Sequence, residues 1–244
     1  MKRYLHAWAM CRSMFCFIPS PWRVWDEDAR PLRPLFLPVL GLEIGALWWG
    51  LAWLTRHFEL PAVLSALILC AYPVAVTGAI HLDGFMDVVD AVRSCAAPEK
   101  RRAILKDPHA GSFAVAGCVF AVLSLFCVFF LNAGDIRLLL LIPVVSRCGS
   151  ALAVTLLRPM STSQYAAQTI RRGGAVAPAV ILCAALTAGF LWCGTGGFAP
   201  VIALCAYALA LWRGYSALGG MNGDVAGYAL TISEICGAAA FALL

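Results

Sequence analysis

The sequence predicts an all-α polytopic membrane protein, a single integral domain of about seven transmembrane helices with a cytoplasmic N-terminus and a short interfacial N-terminal arm. Three observations carry this expectation. Of the 244 residues, 62% are hydrophobic and only 13% are charged, about half the charge of a soluble domain of this length, and the mean hydropathy is +0.84. Several apolar runs reach the roughly 20 residues needed to cross a bilayer core. The basic residues gather in alternate short loops beside those runs, which is the distribution of the positive-inside bias. The net charge of +5 is therefore no sign of nucleic-acid binding, and the expected surroundings are a lipid bilayer.

Residues 1–34 are read as the interfacial arm. The apolar stretch from Trp8 to Ile18 is too short to span, and Pro19, Pro21, Pro31 and Pro34 follow it as an irregular segment. The acidic triplet Asp26, Glu27 and Asp28 reads as a solvated turn. Seven spanning candidates come next, at about 35–54, 60–82, 111–131, 137–157, 176–193, 198–214 and 226–243. The fifth and seventh are Ala-rich and near the minimum length. No internal repeat or low-complexity linker divides the chain, so residues 35–244 read as one helical bundle.

The loops orient it. Lys2, Arg3, Arg12, Arg23, Arg30 and Arg33 lie in the arm, Arg93, Lys100, Arg101, Arg102 and Lys106 in the 2–3 loop, and Arg158, Arg171 and Arg172 in the 4–5 loop. Arg213 closes the sixth helix, while the opposite side carries only Arg56 and Arg137. This bias predicts a cytoplasmic N-terminus and an external C-terminus. The eleven cysteines are scattered, with no C-x-x-C pair, which suggests neither a disulfide framework nor a zinc site. No apolar segment followed by a small-residue cleavage site marks a removable signal peptide.

The densest chemistry is HLDGFMDVVD at 81–90, where the second span ends. Asp83, Asp87 and Asp90 fall at about 0°, 40° and −20° around a helix of 3.6 residues per turn, so they share one face. Three carboxylates about 6 Å apart repel by on the order of 3 kcal/mol per pair at an effective dielectric near 20. A divalent cation removes that cost, and Mg²⁺ suits a site built from carboxylates and substrate phosphates. The plainer alternative is a solvated helix end with Arg93 as partner. His81 points to roughly the opposite side and is not counted as a metal ligand.

Ionisable groups inside spans usually mark a site or an internal pair. Glu43, Arg147 and Glu234 are such groups. Structural pairing of Arg147 with one of the glutamates is one reading; a fixed positive charge for an anionic substrate is the other. KDPHAGSF at 106–113 places Lys106, His109 and Gly111 before a helix N-terminus, a plausible phosphate cradle or merely a short basic loop. GGMNGDVAG at 219–227 surrounds Asn222 and Asp224 with four glycines, and alone it is a weak signal.

Together these pieces resemble the cobalamin synthase family, the adenosylcobinamide-GDP ribazoletransferases. The family's opening F…P-x-P is similar to Phe17-Ile18-Pro19-Ser20-Pro21, and its P-x-x-G-x-x-x-G to Pro38 through Gly45. Its H-L-D-G-x-x-D-x-x-D-G matches His81, Leu82, Asp83, Gly84, Asp87 and Asp90. K-D-S-R-x-G-x-F-G resembles residues 106–113, S-R resembles Ser146-Arg147, and G-G-x-T-G-D-x-x-G-A resembles residues 219–228. The motifs follow in order along nearly the whole chain. Ala91, His109 and Asn222 depart from the family's glycine, arginine and threonine, and the His109 change weakens the usual cation there.

The resemblance implies a Mg²⁺-dependent transfer in a bacterial inner membrane, with the site facing the cytoplasm. Adenosylcobinamide-GDP would be joined to α-ribazole or its 5′-phosphate, releasing GMP. On that reading Asp83, Asp87 and Asp90 hold the metal, and Lys106, Arg147 or His109 meet the diphosphate oxygens. His81, His109, Gly111, Ser146, Asn222 and Asp224 bind substrate. One aspartate could instead take the ribose hydroxyl proton, and the sequence does not assign that role. A homo-oligomer is compatible with the sequence. Two alternatives stand beside this reading. One is a CDP-alcohol phosphotransferase, whose D-x-x-D-G-x-x-A-R spacing is not found here. The other is a transporter using Glu43, Arg147 and Glu234, which the clustering of polar motifs at helix ends disfavours.

Overall fold

A computed structural model describes residues 2–20, 22, 24–131, 134–160 and 172–243. Pro21, Arg23, Arg171 and most of the 4–5 loop, which the sequence reading used, lie outside the described residues. The helices are α1 (Lys2–Phe15), α2 (Leu37–His57), α3 (Ala62–Val76), α4 (Ile80–Arg93), α5 (Pro98–Ile104), α6 (Ser112–Phe130), α7 (Leu138–Leu156), α8 (Val176–Cys193), α9 (Phe198–Leu218) and α10 (Gly223–Leu243). Among the described residues five helical stretches are long and apolar enough to cross a membrane, or six if the bent pair α3–α4 counts as one span. One of the five, Val176–Leu218, has 43 residues, about 65 Å if straight and twice a bilayer core. It is not straight. A β-carbon placed on Gly189 would lie 3.1 Å from Pro200, and the Phe190 and Phe198 rings stand 5.1 Å apart. The chain therefore turns back at Gly194–Gly197 and makes α8 and α9 a hairpin.

The core sits around α7. Leu139, Ile142, Val145, Cys148 and Ala151 have no exposed surface, so this helix is wrapped on all sides. Against it lies α2, and the contact explains the small residues of its sequence. A β-carbon on Gly41 would come within 2.5 Å of the Pro143 carbonyl, and one on Gly45 within 2.3 Å of the Leu140 carbonyl. Gly-x-x-x-Gly lets two backbones approach where lipid offers no hydrophobic drive for association. The outer helices present apolar side chains outwards instead: Phe120 is 72% exposed, Leu191 84% and Trp212 69%.

The expected helix at 60–82 breaks. It ends as α3 at Val76 and resumes as α4 at an angle of 87°. The cause is a Schellman end: the Ala79 N–H donates to the Val74 carbonyl (2.9 Å) and the Gly78 N–H to that of Ala75 (3.2 Å). Gly78 has φ +60°, open to glycine at little cost. The Thr77 hydroxyl donates to the Pro73 carbonyl at 2.7 Å, and Ala79 also takes a left-handed φ of +63°. Hydropathy does not register such a break, because every residue around it is apolar or small.

The sequence reads the arm as an interfacial helix followed by an irregular segment. Its helix α1 docks on the bundle: Ala7, Met10 and Cys11 are buried, and Cys11 packs with Leu40, Ile44 and Val76. Trp8 donates to Glu43 (3.0 Å) and Arg12 pairs with the same carboxylate at 3.3 Å. The acidic triplet does form a turn, in which Asp26 accepts from the Asp28 and Ala29 N–H groups and bonds His6 at 2.7 Å. The His6 bond is the main reason its carboxyl lies below the usual range.

Connections alternate between two ends of the bundle. At one end Arg101 of α5 donates to the Ala217 carbonyl (3.4 Å), and the chain leaving α7 pairs with the α9–α10 connection through Met160–Met221 and Met221–Arg158 backbone bonds of 2.8 and 3.0 Å. At the other, Arg56 donates to the Gly134 carbonyl at 3.1 Å, and Arg137 stacks on Trp192. The 2–3 and 6–7 connections and the described start of the 4–5 connection thus meet at the end that carries Asp83 and Asp224.

Candidate active site

On α4, an amphipathic helix, Gly84, Phe85, Val88 and Ala91 are buried against the bundle, while Asp83 and Asp87 face outwards. Opposite stands the N-terminus of α10. A β-carbon on Gly84 would lie 2.9 Å from the Asp224 Cα, so glycine here lets α10 bring Asp224 beside the aspartate stripe. Asp83, Asp224 and Asp90 all act electrostatically on Asp87, which puts four carboxylates in one neighbourhood. Asn222 orders the fourth: its Oδ1 accepts from the Val225 N–H (2.9 Å), capping α10, and its Nδ2 donates to Asp224 Oδ2 at 2.7 Å. A threonine hydroxyl could make the first bond, so the departure at Asn222 preserves the cap.

Asp90 was expected to be a ligand, but its oxygens are engaged elsewhere. Oδ2 accepts from the Gly111 N–H at 2.7 Å and Oδ1 from the Ala114 N–H at 3.2 Å. Asp90 thereby caps α6 from another helix, with its charge at the positive end of the helix dipole. Gly111 leaves the room: a β-carbon there would fall 2.1 Å from Asp90 Oδ2. The expected phosphate cradle at this helix start is thus filled by the protein's own anion. His109 does not reach it either; it bonds Asp107 (2.7 Å) with its side chain 89% exposed, and the His109 N–H and ring together hold the Asp107 carboxyl below its usual range. Lys106 is exposed and forms no ion pair among the described residues.

Ser146 and Arg147 lie inside the bundle. Arg147 is 1% exposed and pairs with Glu234 at 2.5 Å, while the Ser146 hydroxyl is 3.3 Å from the same carboxylate. The pairing expectation therefore describes Arg147 and Glu234, and Glu43 pairs with Arg12 instead. His81 also faces inwards, stacked on Phe15 (centroids 5.9 Å), with its carbonyl accepting from Thr231. Sequence reasoning gave no role beyond loop charge to Arg101 and Arg102. They reach the connection that carries Asn222 and Asp224, with Arg102 Nη1 3.5 Å from the β-carbon position of Gly219. Their PEKRR run on a short helix was the available signal.

The donor set fits a hard cation in a limited way. Asp83 and Asp87 form no side-chain hydrogen bond among the described residues, and oxygen donors suit Mg²⁺. No group of three His, Cys, Asp or Glu among the described residues is placed to hold an ion by itself. Two carboxylates, with water and substrate phosphates completing the shell, is the usual arrangement for Mg²⁺.

Fold and site together define a multi-pass membrane enzyme whose carboxylates converge at one end of a helical bundle. The chain belongs to the cobalamin-5-phosphate synthase (CobS) family, whose model matches residues 7–242. Among its relatives are adenosylcobinamide-GDP ribazoletransferases from Clostridium perfringens (strain 13 / Type A), 35% identical over 97% of each chain, and from Clostridium botulinum (strain Alaska E43 / Type E3), 29% identical over 97% of each. Another, from Brevibacillus brevis, is 30% identical over 96% of this chain and 95% of its own. No solved structure matches.

Proposed function

We propose that this chain joins adenosylcobinamide-GDP to α-ribazole or its 5′-phosphate at the cytoplasmic face of a bacterial inner membrane, releasing GMP. The observation that carries the reading is the meeting of Asp83 and Asp87 with Asp224 at the end where the basic loops gather, in a chain of this family. The ribose hydroxyl oxygen forms the new bond to the cobinamide-side phosphorus. The bond from that phosphorus to the GMP oxygen breaks, and a carboxylate takes the hydroxyl proton. Asp83 and Asp87 would hold Mg²⁺, which when bound supplies charge neutralisation at the diphosphate. Asp224, fixed by Asn222, aims a third carboxylate at the same place. Arg101 and Arg102 bring positive charge to that connection, beside the contact with the diphosphate oxygens expected of Lys106, Arg147 or His109.

Membranes containing the protein, supplied with adenosylcobinamide-GDP, α-ribazole and Mg²⁺, should yield GMP and a complete corrinoid in equal amounts. Excess chelator should stop both. Release of CMP from a CDP-alcohol with the corrinoid untouched would replace this reading with a CDP-alcohol phosphotransferase.

A further inference from the structure

On the side of α4 away from the carboxylates, a groove of about 670 Å³ runs between α4, α6 and α10. This is within the roughly 300–1,000 Å³ of ordinary ligand pockets. Phe85 and Val92, on its wall, sit about 180–200° around α4 from Asp83. The α6 wall runs from Phe113 through Phe120 to Ser124, eleven helical steps or about 16 Å of helix. Phe120 and Phe113 are 72% and 50% exposed, so the groove opens towards lipid. Its lining is mostly apolar, with Ser124 and Tyr228 as neutral polar groups, and its two charged residues, Arg93 and Arg213, stand at one end. That is the end at which the 2–3 and 6–7 connections meet.

Neither arginine forms an ion pair among the described residues, and no carboxylate lines the groove. Arg213 stands beside Tyr228, whose ring is stacked on Phe85 at 5.8 Å. Two guanidiniums at interface depth above an apolar trough complement a phosphate headgroup with one acyl chain below it. Basic pockets between membrane helices select anionic lipids in this way.

We propose that this groove is a binding site for one anionic phospholipid, its phosphate held by Arg93 and Arg213 and one acyl chain lying along Phe113, Phe120 and Ile232. A zwitterionic headgroup would bring its own cation to the two arginines and bind less well. Because α4 forms both the wall of the groove and the mount of Asp83 and Asp87, lipid occupancy would brace the helix that carries the site.

The test uses the full chain in nanodiscs of phosphatidylcholine and phosphatidylglycerol, followed by native mass spectrometry at energies that strip loosely held lipid. The wild type should keep one phosphatidylglycerol in preference to phosphatidylcholine. Each of Arg93→Gln and Arg213→Gln should weaken that retention by about fivefold, and Lys100→Gln, an equal loss of charge on α5, should leave it unchanged. Ala116→Phe fills the groove from an exposed position without removing a charge and should also lower it, which covers the case of an arginine variant that fails to fold. Retention unchanged in both Arg93→Gln and Ala116→Phe would overturn the proposal. So would equal retention of the two lipids by the wild type, or displacement of the bound lipid by GDP, which would make the groove part of the substrate route.

Discussion

Three aspartates that look equivalent in the sequence have different surroundings. Asp83 and Asp87 are unengaged carboxylates beside Asp224, at a mutual cost on the order of 3 kcal/mol per close pair. Removing either relieves repulsion, so Asp83→Ala and Asp87→Ala should abolish GMP release while leaving the melting temperature of the purified protein unchanged or slightly raised. Asp90→Ala should behave in the opposite way. It strips the cap from α6 and should lower stability by about 1 kcal/mol, visible as earlier thermal unfolding, with Asp90→Asn intermediate because an amide oxygen still accepts. Equal loss of activity at full stability in all three would return Asp90 to the metal. The Arg147–Glu234 pair makes a further residue-scale case. Removing one member leaves a buried charge and should cost about 3–5 kcal/mol, whereas an Arg147→Met, Glu234→Leu double variant should recover much of it. A well-folded double variant with no activity would show that Arg147 meets the substrate after all.

Among the elements, the joint between α3 and α4 decides where the stripe points. A continuous helix through residues 60–82 would carry Asp83 onwards along the axis of α3; the turn of 87° lays it against α10 instead. The joint holds two successive left-handed residues, and Ala79 bears a side chain there at a cost of about 1–2 kcal/mol. Ala79→Gly should therefore raise thermal stability by up to about 1 kcal/mol, and Gly78→Ala should lower it by a similar amount. The informative reading is activity: if the strain at Ala79 fixes the α4 angle, Ala79→Gly will be more stable and slower. No change in either quantity would mean that α4 is held by α10 and α6 alone.

Across the whole molecule, the alternation of connections between two ends makes a topological statement that labelling can check. Single cysteines at Lys100, Arg158 and Gly219, placed in a variant lacking the eleven native cysteines, should react with an impermeant reagent only from the cytoplasmic side. One at Gly134 should react only from outside. External labelling of Gly219 would separate Asp224 from the cytoplasm and remove the proposed site from that face.

Most of the helices were legible in the sequence because a bilayer demands long apolar runs with satisfied backbones. The expected 176–193 coincides with α8, and 111–131 and 137–157 differ from α6 and α7 by a residue at each end. The Asp83–Asp87 stripe was legible for a similar reason, since helical periodicity fixes which residues share a face. Three things were not. The α3–α4 break depends on a two-residue hydrogen-bonding pattern that hydropathy averages away. The partners of Asp90 lie on a helix that begins more than twenty residues later, that of Arg147 is Glu234 in the last helix, and those of Glu43, Trp8 and Arg12, lie in the first. Only packing decides which distant N–H or carboxylate a buried charge meets. The sequence by itself determined that this chain is a helical membrane protein with an acidic stripe. The tertiary structure decided which aspartates are free, because a carboxylate that already accepts two backbone N–H bonds has little left to offer a metal.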